Sequence, residues 1–369
     1  MTAHATLDGL AFSLPDRVVA HAIGAGKIAE LGAALDALPV GWVHLGAARA
    51  GGLDEHRPDV AEKHSAHEVV LESTTTAAGL IAVTDRTQFV VSHSAHRDHP
   101  YNIARRFASL AHLSGNRVAW AALARDAQAP GERNAWTNEA QTESLREEAI
   151  RTVRALWASW PKSSIASENG SEVFIDSEAI HFANAEGSFR SRGPLNVPGP
   201  VNGLTVARHL DPDDAIAFEA VGAAGSVGAT GSVGAAGSVG AAEGAPATRV
   251  FRALPLDVSS VLAPEASNAA SGALDDAGAD ERGPEQGVLL VPRSGTAAEW
   301  LEALLGGTLA RFLAPLIATT DAPPAFATPF HQLYDARAAD VAAHPRPFAS
   351  SAEPHASASA VTTTTPQKA

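Results

Sequence analysis

The sequence predicts an α/β protein organised around parallel strands, and three observations carry that prediction. Between Asp98 and Trp120 a strand end, an amphipathic helix and a second strand follow one another without slack, which is the repeating unit of parallel α/β folds. Apolar periodicity alternates between short strand-like and longer helix-like runs along most of the chain. Composition agrees: 45% of residues are hydrophobic but only 5% aromatic, so the core must rest on Ala, Val and Leu, which suits helices laid over a barrel of small and branched side chains. The 369 residues give room for one barrel of about 250 residues with insertions, or for two ordinary domains.

In chain order, Leu7 to Leu14 reads as a first strand and Gly24 to Leu38 as a helix, with Ile28, Leu31, Leu35 and Leu38 on one side. Gly41 to Ala47 is a second strand, followed by a polar loop from Gly51 to Ala66 at its carboxyl end. A helix from Ser73 to Val83 and a strand from Gln88 to Ser94 come next. Pro100 then fits the first turn of a helix, where its missing amide hydrogen would have had no partner, and Gly115 fits just beyond the end. Ile103, Phe107 and Leu110 form the inward face of this helix, and Arg117 to Leu123 is a short apolar strand. Glu139 to Trp160 carries a helical apolar stripe of Leu145, Ile150, Val153, Leu156, Trp157 and Trp160. Pro161 to Pro200 is turn-rich.

Leu204 to Leu210 reads as the fifth strand and Pro212 to Val221 as its helix, with Asp211 as N-cap. Gly222 to Ala242 repeats GAAGSV and GATGSV at a period of six. Lacking bulky inward residues, the repeat reads as a flexible linker over 222–247 that replaces a sixth strand and helix, in preference to a β-helix. Arg249 to Leu262 and Gly287 to Pro292 supply two more strands, separated by a small, acidic, mobile loop at 263–285. The last helix is expected from Thr296 to Ile317. One domain over 1–335 and a disordered tail over 336–369 complete the division.

Several function classes are disfavoured at once. The chain has no cysteine, so disulfides, thiolate metal sites and cysteine nucleophiles are excluded. A formal charge of −14 argues against a nucleic-acid surface, which needs clustered Lys and Arg. The N-terminus has no basic start followed by an apolar run, and no window offers about 18 uninterrupted apolar residues, so neither a signal peptide nor a membrane span is expected. The expectation is a cytoplasmic protein. No serine sits in a nucleophile elbow, no carboxylate pair stands out for glycoside chemistry, and Gly193 to Gly203 lacks the Lys-Ser/Thr of a nucleotide loop and reads as a surface turn.

Four segments resemble one family in the same order: LESTTTAAGLIAVTDRTQFVVS (Leu71 to Ser92), DHPYNIARRFASLAHLSGNRVAW (Asp98 to Trp120), LWASW (Leu156 to Trp160) and FRSRGPLNVPGPVNG (Phe189 to Gly203). Together they resemble the flavin-dependent monooxygenases of the bacterial luciferase superfamily, in the branch acting on nitrilotriacetate, EDTA, dibenzothiophene sulfone and long-chain alkanes. The resemblance implies a modified TIM-type (β/α)8 barrel and the use of reduced FMN supplied by a partner flavin reductase. It further implies oxidation of a small organic substrate with oxygen, and a homodimer. Other branches of the superfamily use F420.

Active sites of such barrels lie at the carboxyl ends of the strands. There the resemblance points to Ser92, His99 and Trp120 as pocket-lining residues, His99 nearest the chemistry, and to Arg125 or Arg208 as partners for the flavin phosphate. It also exposes departures. Ala47, Ala121 and Ala124 stand where the family has Asp, Asn and Thr; Glu139 and Glu143 stand where it has a phosphate-contacting His and Tyr; and RHLD (Arg208 to Asp211) replaces Gln-Ala-Gly-Ser. A second reading follows from these: a barrel that binds a ligand without flavin turnover. His93, His96 and His99 are spaced by three but lack a matching carboxylate apart from Asp98, so no metal is expected. His44, inside a strand, reads as a satisfied core histidine.

Overall fold

The computed structural model describes residues 10–50, 70–129, 131–165, 174–201, 203–210, 215–218, 249–262 and 286–314. Eight strands close into a barrel in chain order: β1 (Leu10–Ser13), β2 (Trp42–Leu45), β3 (Phe89–Ser94), β4 (Val118–Leu123), β5 (Val206–Leu210), β6 (Ala215–Phe218), β7 (Arg249–Leu256) and β8 (Gln286–Pro292). Closure comes from β1 beside β8, with Ala11 opposite Leu289. Every neighbouring pair is parallel except those of β6, which runs antiparallel to both β5 and β7.

That strand corrects two expectations. The predicted helix from Pro212 to Val221 is not formed, because Ala215–Phe218 is extended, and the sixth barrel position is held by this strand instead of being replaced by a linker. An antiparallel neighbour needs only a short return, and Leu210 pairs with Ala215 across four intervening residues. Parallel addition would have demanded a long crossover. The alternation in AIAF puts Ile216 into the barrel, fully buried, and closure of the sheet outweighs the local helical preference of an Ala-rich segment. The Gly51–Ala66 loop, the repeat, the 263–285 loop and the 336–369 tail all lie outside the described residues.

Period-2 alternation sorts the strand side chains into two shells. Ala11, Trp42, Val90, Ala119, Ala121, Leu123, Ala207, Ile216, Phe251, Leu289 and Val291 pack together inside the barrel, where Trp42 meets Phe251 edge-on at 4.8 Å. Phe12, Val43, Leu45, Phe89, Val91, Val118, Trp120 and Val206 point outward into the layer beneath the helices. Burying one Leu or Phe there contributes roughly 1.5–3 kcal/mol.

The helices are α1 (Asp16–Gly24), α2 (Ile28–Ala37), α3 (Ala47–Ala50), α4 (Ser73–Ile81), α5 (Pro100–Ser114), α6 (Glu143–Ser159), α7 (Val258–Leu262), α8 (Ala297–Leu305) and α9 (Thr308–Leu313). Two predicted helices are split. The one expected from Gly24 to Leu38 becomes α1 and α2, with Gly26 at φ 68° between them, and the one from Thr296 to Ile317 breaks at Gly306 and Gly307. In each case a glycine ends one apolar face and starts another at a new angle. The expected limits of α5 hold: Pro100 occupies the first turn and Gly115 takes the left-handed conformation beyond the end.

Candidate active site

At the carboxyl ends of β1, β2, β3 and β5 the inward positions change from apolar residues to the polar Ser13, His44, Ser92 and His209, all buried. Ser13 pairs in register with His44, and His44 with Val90, so Ser92 lies two positions further along β3 on the same face. His44 Nδ1 is hydrogen-bonded to Ser13 Oγ at 3.1 Å and His44 Nε2 to Ser92 Oγ at 2.8 Å. All three side chains are buried. Desolvation, with a smaller contribution from nearby His209, lowers the His44 pKa to about 3, so the imidazole is neutral at physiological pH. Ala121, paired with Ser92 and Ala207, leaves this layer narrow in side-chain bulk.

The rim above it is tied together by short-range contacts. Gly46 turns the chain from β2 into α3 at φ 84°, and a Cβ there would come 3.0 Å from Ser73 Cβ and 3.2 Å from the Ser92 carbonyl oxygen. Ser73 donates its hydroxyl to that same carbonyl at 2.7 Å. Arg49 in α3 pairs with Asp126 beyond β4 at 2.7 Å, and Asn134, almost fully buried, donates to the Ala95 carbonyl at 2.7 Å. The loops after β2, β3 and β4 therefore hold one another in place.

The predicted residues separate into three groups. Ser92 faces the barrel interior within the polar layer, and Ala47 and Ala121 are buried around it. His99 lies on the rim, where its Nδ1 accepts the Tyr101 amide at 3.1 Å as the N-cap of α5. Its ring stands edge-on to Trp136 at 5.4 Å and Phe189 at 6.1 Å, and burial lowers its pKa against the opposing charge of Asp98. Arg125 is exposed just past β4 and makes no hydrogen bond or ion pair among the described residues, and Ala124 beside it is half-buried. Glu139 is exposed and accepts from Ser188 Oγ at 3.0 Å, and Glu143, also exposed, opens α6.

Two expectations are corrected. Trp120 does not wall the interior: even-numbered positions of β4 point outward, and its ring packs 5.9 Å from Phe107 while Nε1 donates to the His93 carbonyl at 2.9 Å. Arg208 likewise points outward from β5, gripping both oxygens of Glu147 in α6 at 2.7 and 2.6 Å. A guanidinium held in that fork-to-fork pairing is not available to a phosphate. Nor do the three spaced histidines converge. His93 faces outward between Glu72 (3.6 Å) and Asp98 (3.2 Å), His96 binds the Arg133 carbonyl at 3.2 Å, and His99 caps its helix. Among the described residues no three or more His, Cys, Asp or Glu side chains are grouped to hold a metal ion, and no helix is long and apolar enough to cross a membrane.

Ser13 escaped the sequence reading, His209 was read only as a residue closing its strand, and His44 was read only as core. The signal was present: each lies in the last two positions of its strand, on the inward alternation.

The geometry defines a closed β/α barrel with an uncharged polar layer where such barrels place their chemistry. No family model matches the chain. Among characterised proteins it is 33% identical over 145 residues to the dibenzothiophene-sulfone monooxygenase of Rhodococcus erythropolis, covering 37% of this chain and 31% of that protein. It is also 33% identical over 141 residues to nitrilotriacetate monooxygenase component A of Aminobacter aminovorans, covering 37% and 31%. Among solved structures, a long-chain alkane monooxygenase superposes with a TM-score of 0.44 at 21% identity, covering 56% of this chain and 52% of that one. The chain spans about a third of the length of the curated relatives it matches. Over the matched residues it is similar to these monooxygenases.

Proposed function

We propose that the protein is an FMN-dependent oxidoreductase, a two-component monooxygenase that oxidises a small organic substrate with oxygen, its reduced flavin coming from a separate reductase. The observation that carries this reading is the Ser13, His44, Ser92 layer at the carboxyl end of the closed barrel. Hydroxyls, a neutral imidazole and alanines suit an uncharged heteroaromatic ring with donors and acceptors on its edge. Bound reduced flavin would supply the two electrons for oxygen activation. The chain's own part is to hold and shield. Ser92 would meet the polar edge of the ring, Ala47 and Ala121 would give it room, and Trp42 against Phe251 closes the barrel below against water. His99 with Trp136 and Phe189 would border the mouth. For the phosphate, Arg208 is committed to Glu147, so Arg125 is the cation suited to it.

A flavin titration tests the reading directly. Oxidised FMN, and reduced FMN under anaerobic conditions, should bind with quenching or enhancement of flavin fluorescence, with F420 run in parallel. Arg125→Ala should weaken FMN binding by about 5- to 10-fold, the loss of a charge-assisted phosphate contact of about 1–1.5 kcal/mol, and leave riboflavin binding unchanged. Arg208→Ala should leave both unchanged. Oxygen uptake with a flavin reductase present should then rise on addition of dibenzothiophene sulfone, nitrilotriacetate or a related small molecule. Absence of binding by every flavin tested would leave only a barrel with another ligand.

A further inference from the structure

Two histidines, one buried and one half-buried, have their tautomer fixed by a neighbour. His96 and His112 each place a ring nitrogen against a backbone carbonyl, Arg133 at 3.2 Å and Pro198 at 2.9 Å. A carbonyl only accepts, so that nitrogen must carry the hydrogen and the neutral tautomer is fixed. His44 differs. Both its nitrogens meet hydroxyls, Ser13 at 3.1 Å and Ser92 at 2.8 Å, and a hydroxyl can donate or accept. Neither neighbour chooses the tautomer.

The two tautomers give Ser92 opposite characters. With hydrogen on Nε2 the ring donates to Ser92 Oγ, and the Ser92 O–H is free to donate to a third group. With hydrogen on Nδ1 the ring donates to Ser13, and Ser92 must turn its own O–H to Nε2, leaving only lone pairs to offer. Passing from one to the other returns a proton to water from one nitrogen and takes one from water at the other, so the proton count and charge of the three side chains are unchanged. We propose that His44 is a positioning residue whose tautomer sets whether Ser92 presents a hydrogen or a lone pair to the ligand seated at the carboxyl end of the barrel. This rests on the flavin reading above and adds to it. Because the ring stays neutral across the physiological range, the switch operates without changing charge in a desolvated interior, and a ligand shifts it by its own preference for donor or acceptor.

The full-length chain with 15N-labelled histidine tests the idea by NMR. The 15 histidines include one pair of ring nitrogens that Ser13→Ala perturbs, which assigns His44. Addition of oxidised FMN should move the His44 nitrogen shifts toward one tautomer in the wild type, and should not do so in Ser92→Ala. Two variants give a second readout that does not depend on the assignment. His44→Gln carries its amide to the position of Nε2 and keeps the contact to Ser92, whereas His44→Asn reaches only the Nδ1 position beside Ser13. FMN affinity should fall about 5-fold or more in the Asn variant, the worth of one net hydrogen bond, and recover to within about 2-fold in the Gln variant. Wild-type protein that binds FMN with the His44 shifts unmoved, or Gln and Asn variants that bind alike, overturns the proposal while leaving the flavin reading intact. Failure of the wild type to bind FMN overturns both.

Discussion

His44 ties the chemistry of the barrel interior to its stability in acid. Its pKa is about 3 when folded against 6.5 as a free side chain, so below 6.5 the unfolded chain binds a proton that the folded chain refuses. Stability from this group is complete above 6.5 and declines as the pH falls toward 3, at up to about 1.4 kcal/mol per pH unit. The shifted carboxylates act lower down. Glu72 is held at about 2 because, despite the opposing effect of burial, its carboxylate accepts from Thr74 and Thr75; its contribution is lost only below its free value of 4.5. Between 6.5 and 4.5 His44 therefore dominates among the shifted groups, apart from His99, whose pKa is lowered in the same sense. Urea titrations across that window should show wild-type stability falling with acid, and His44→Phe should flatten the slope whatever it does to the absolute value. An unchanged slope would mean that the ring is hydrated when folded. At this scale the sequence disclosed where polar residues end strands but not which way they point. Trp120 and Arg208 were misplaced because a family position does not reveal the parity of a strand, and parity sends both toward the helices.

The elements themselves were most legible where a helix has a start or stop that acts locally: Pro100 and Gly115 on α5, Thr142 accepting the Leu145 amide at the start of α6. What misled was the assumption that an apolar stripe continues through a glycine. Gly26 and Gly307 each adopt positive φ and redirect the chain, and no periodicity count registers that. β6 was missed for a different reason: four residues carry too little pattern to outweigh alanine's helical preference, and only the demand of barrel closure decides them. Gly46 shows the same non-local control from inside the site. It needs positive φ, and any side chain there would press on Ser73 Cβ at 3.0 Å and the Ser92 carbonyl at 3.2 Å. Gly46→Ala should cost about 1–3 kcal/mol, the range for strained backbone, visible as a lower urea midpoint. Because the displaced contact is the backbone of Ser92, FMN affinity should fall as well. Lost stability with unaltered FMN binding would separate this turn from the site.

For the molecule as a whole, closure is the property on which the site depends, since the polar layer draws on β1, β2 and β3 while the barrel is sealed by pairing β1 with β8. The first described strand and the last helices are thus mutually supporting. Phe12 on β1 faces Trp300 of α8 with ring centroids 6.2 Å apart, and the indole is fully buried, its Nε1 donating to the Ser294 carbonyl. α8 also begins with a capping box in which Thr296 and Glu299 satisfy each other's amides, so the helix is preformed to carry that indole. Trp300→Ala removes the packing behind the outer face of β1, and a cavity of that size costs about 3–5 kcal/mol. If the barrel is one cooperative unit, the loss should lower a single unfolding transition, seen at the same urea concentration by far-UV circular dichroism and by the fluorescence of the remaining tryptophans. If the proposed FMN site exists only in the closed form, FMN should raise the midpoint of wild type and variant alike. Should the two signals separate in the variant, with FMN stabilising only one of the two transitions, β1 to β4 would hold together without the C-terminal strands, and the site would belong to a half-barrel and not to the closed one.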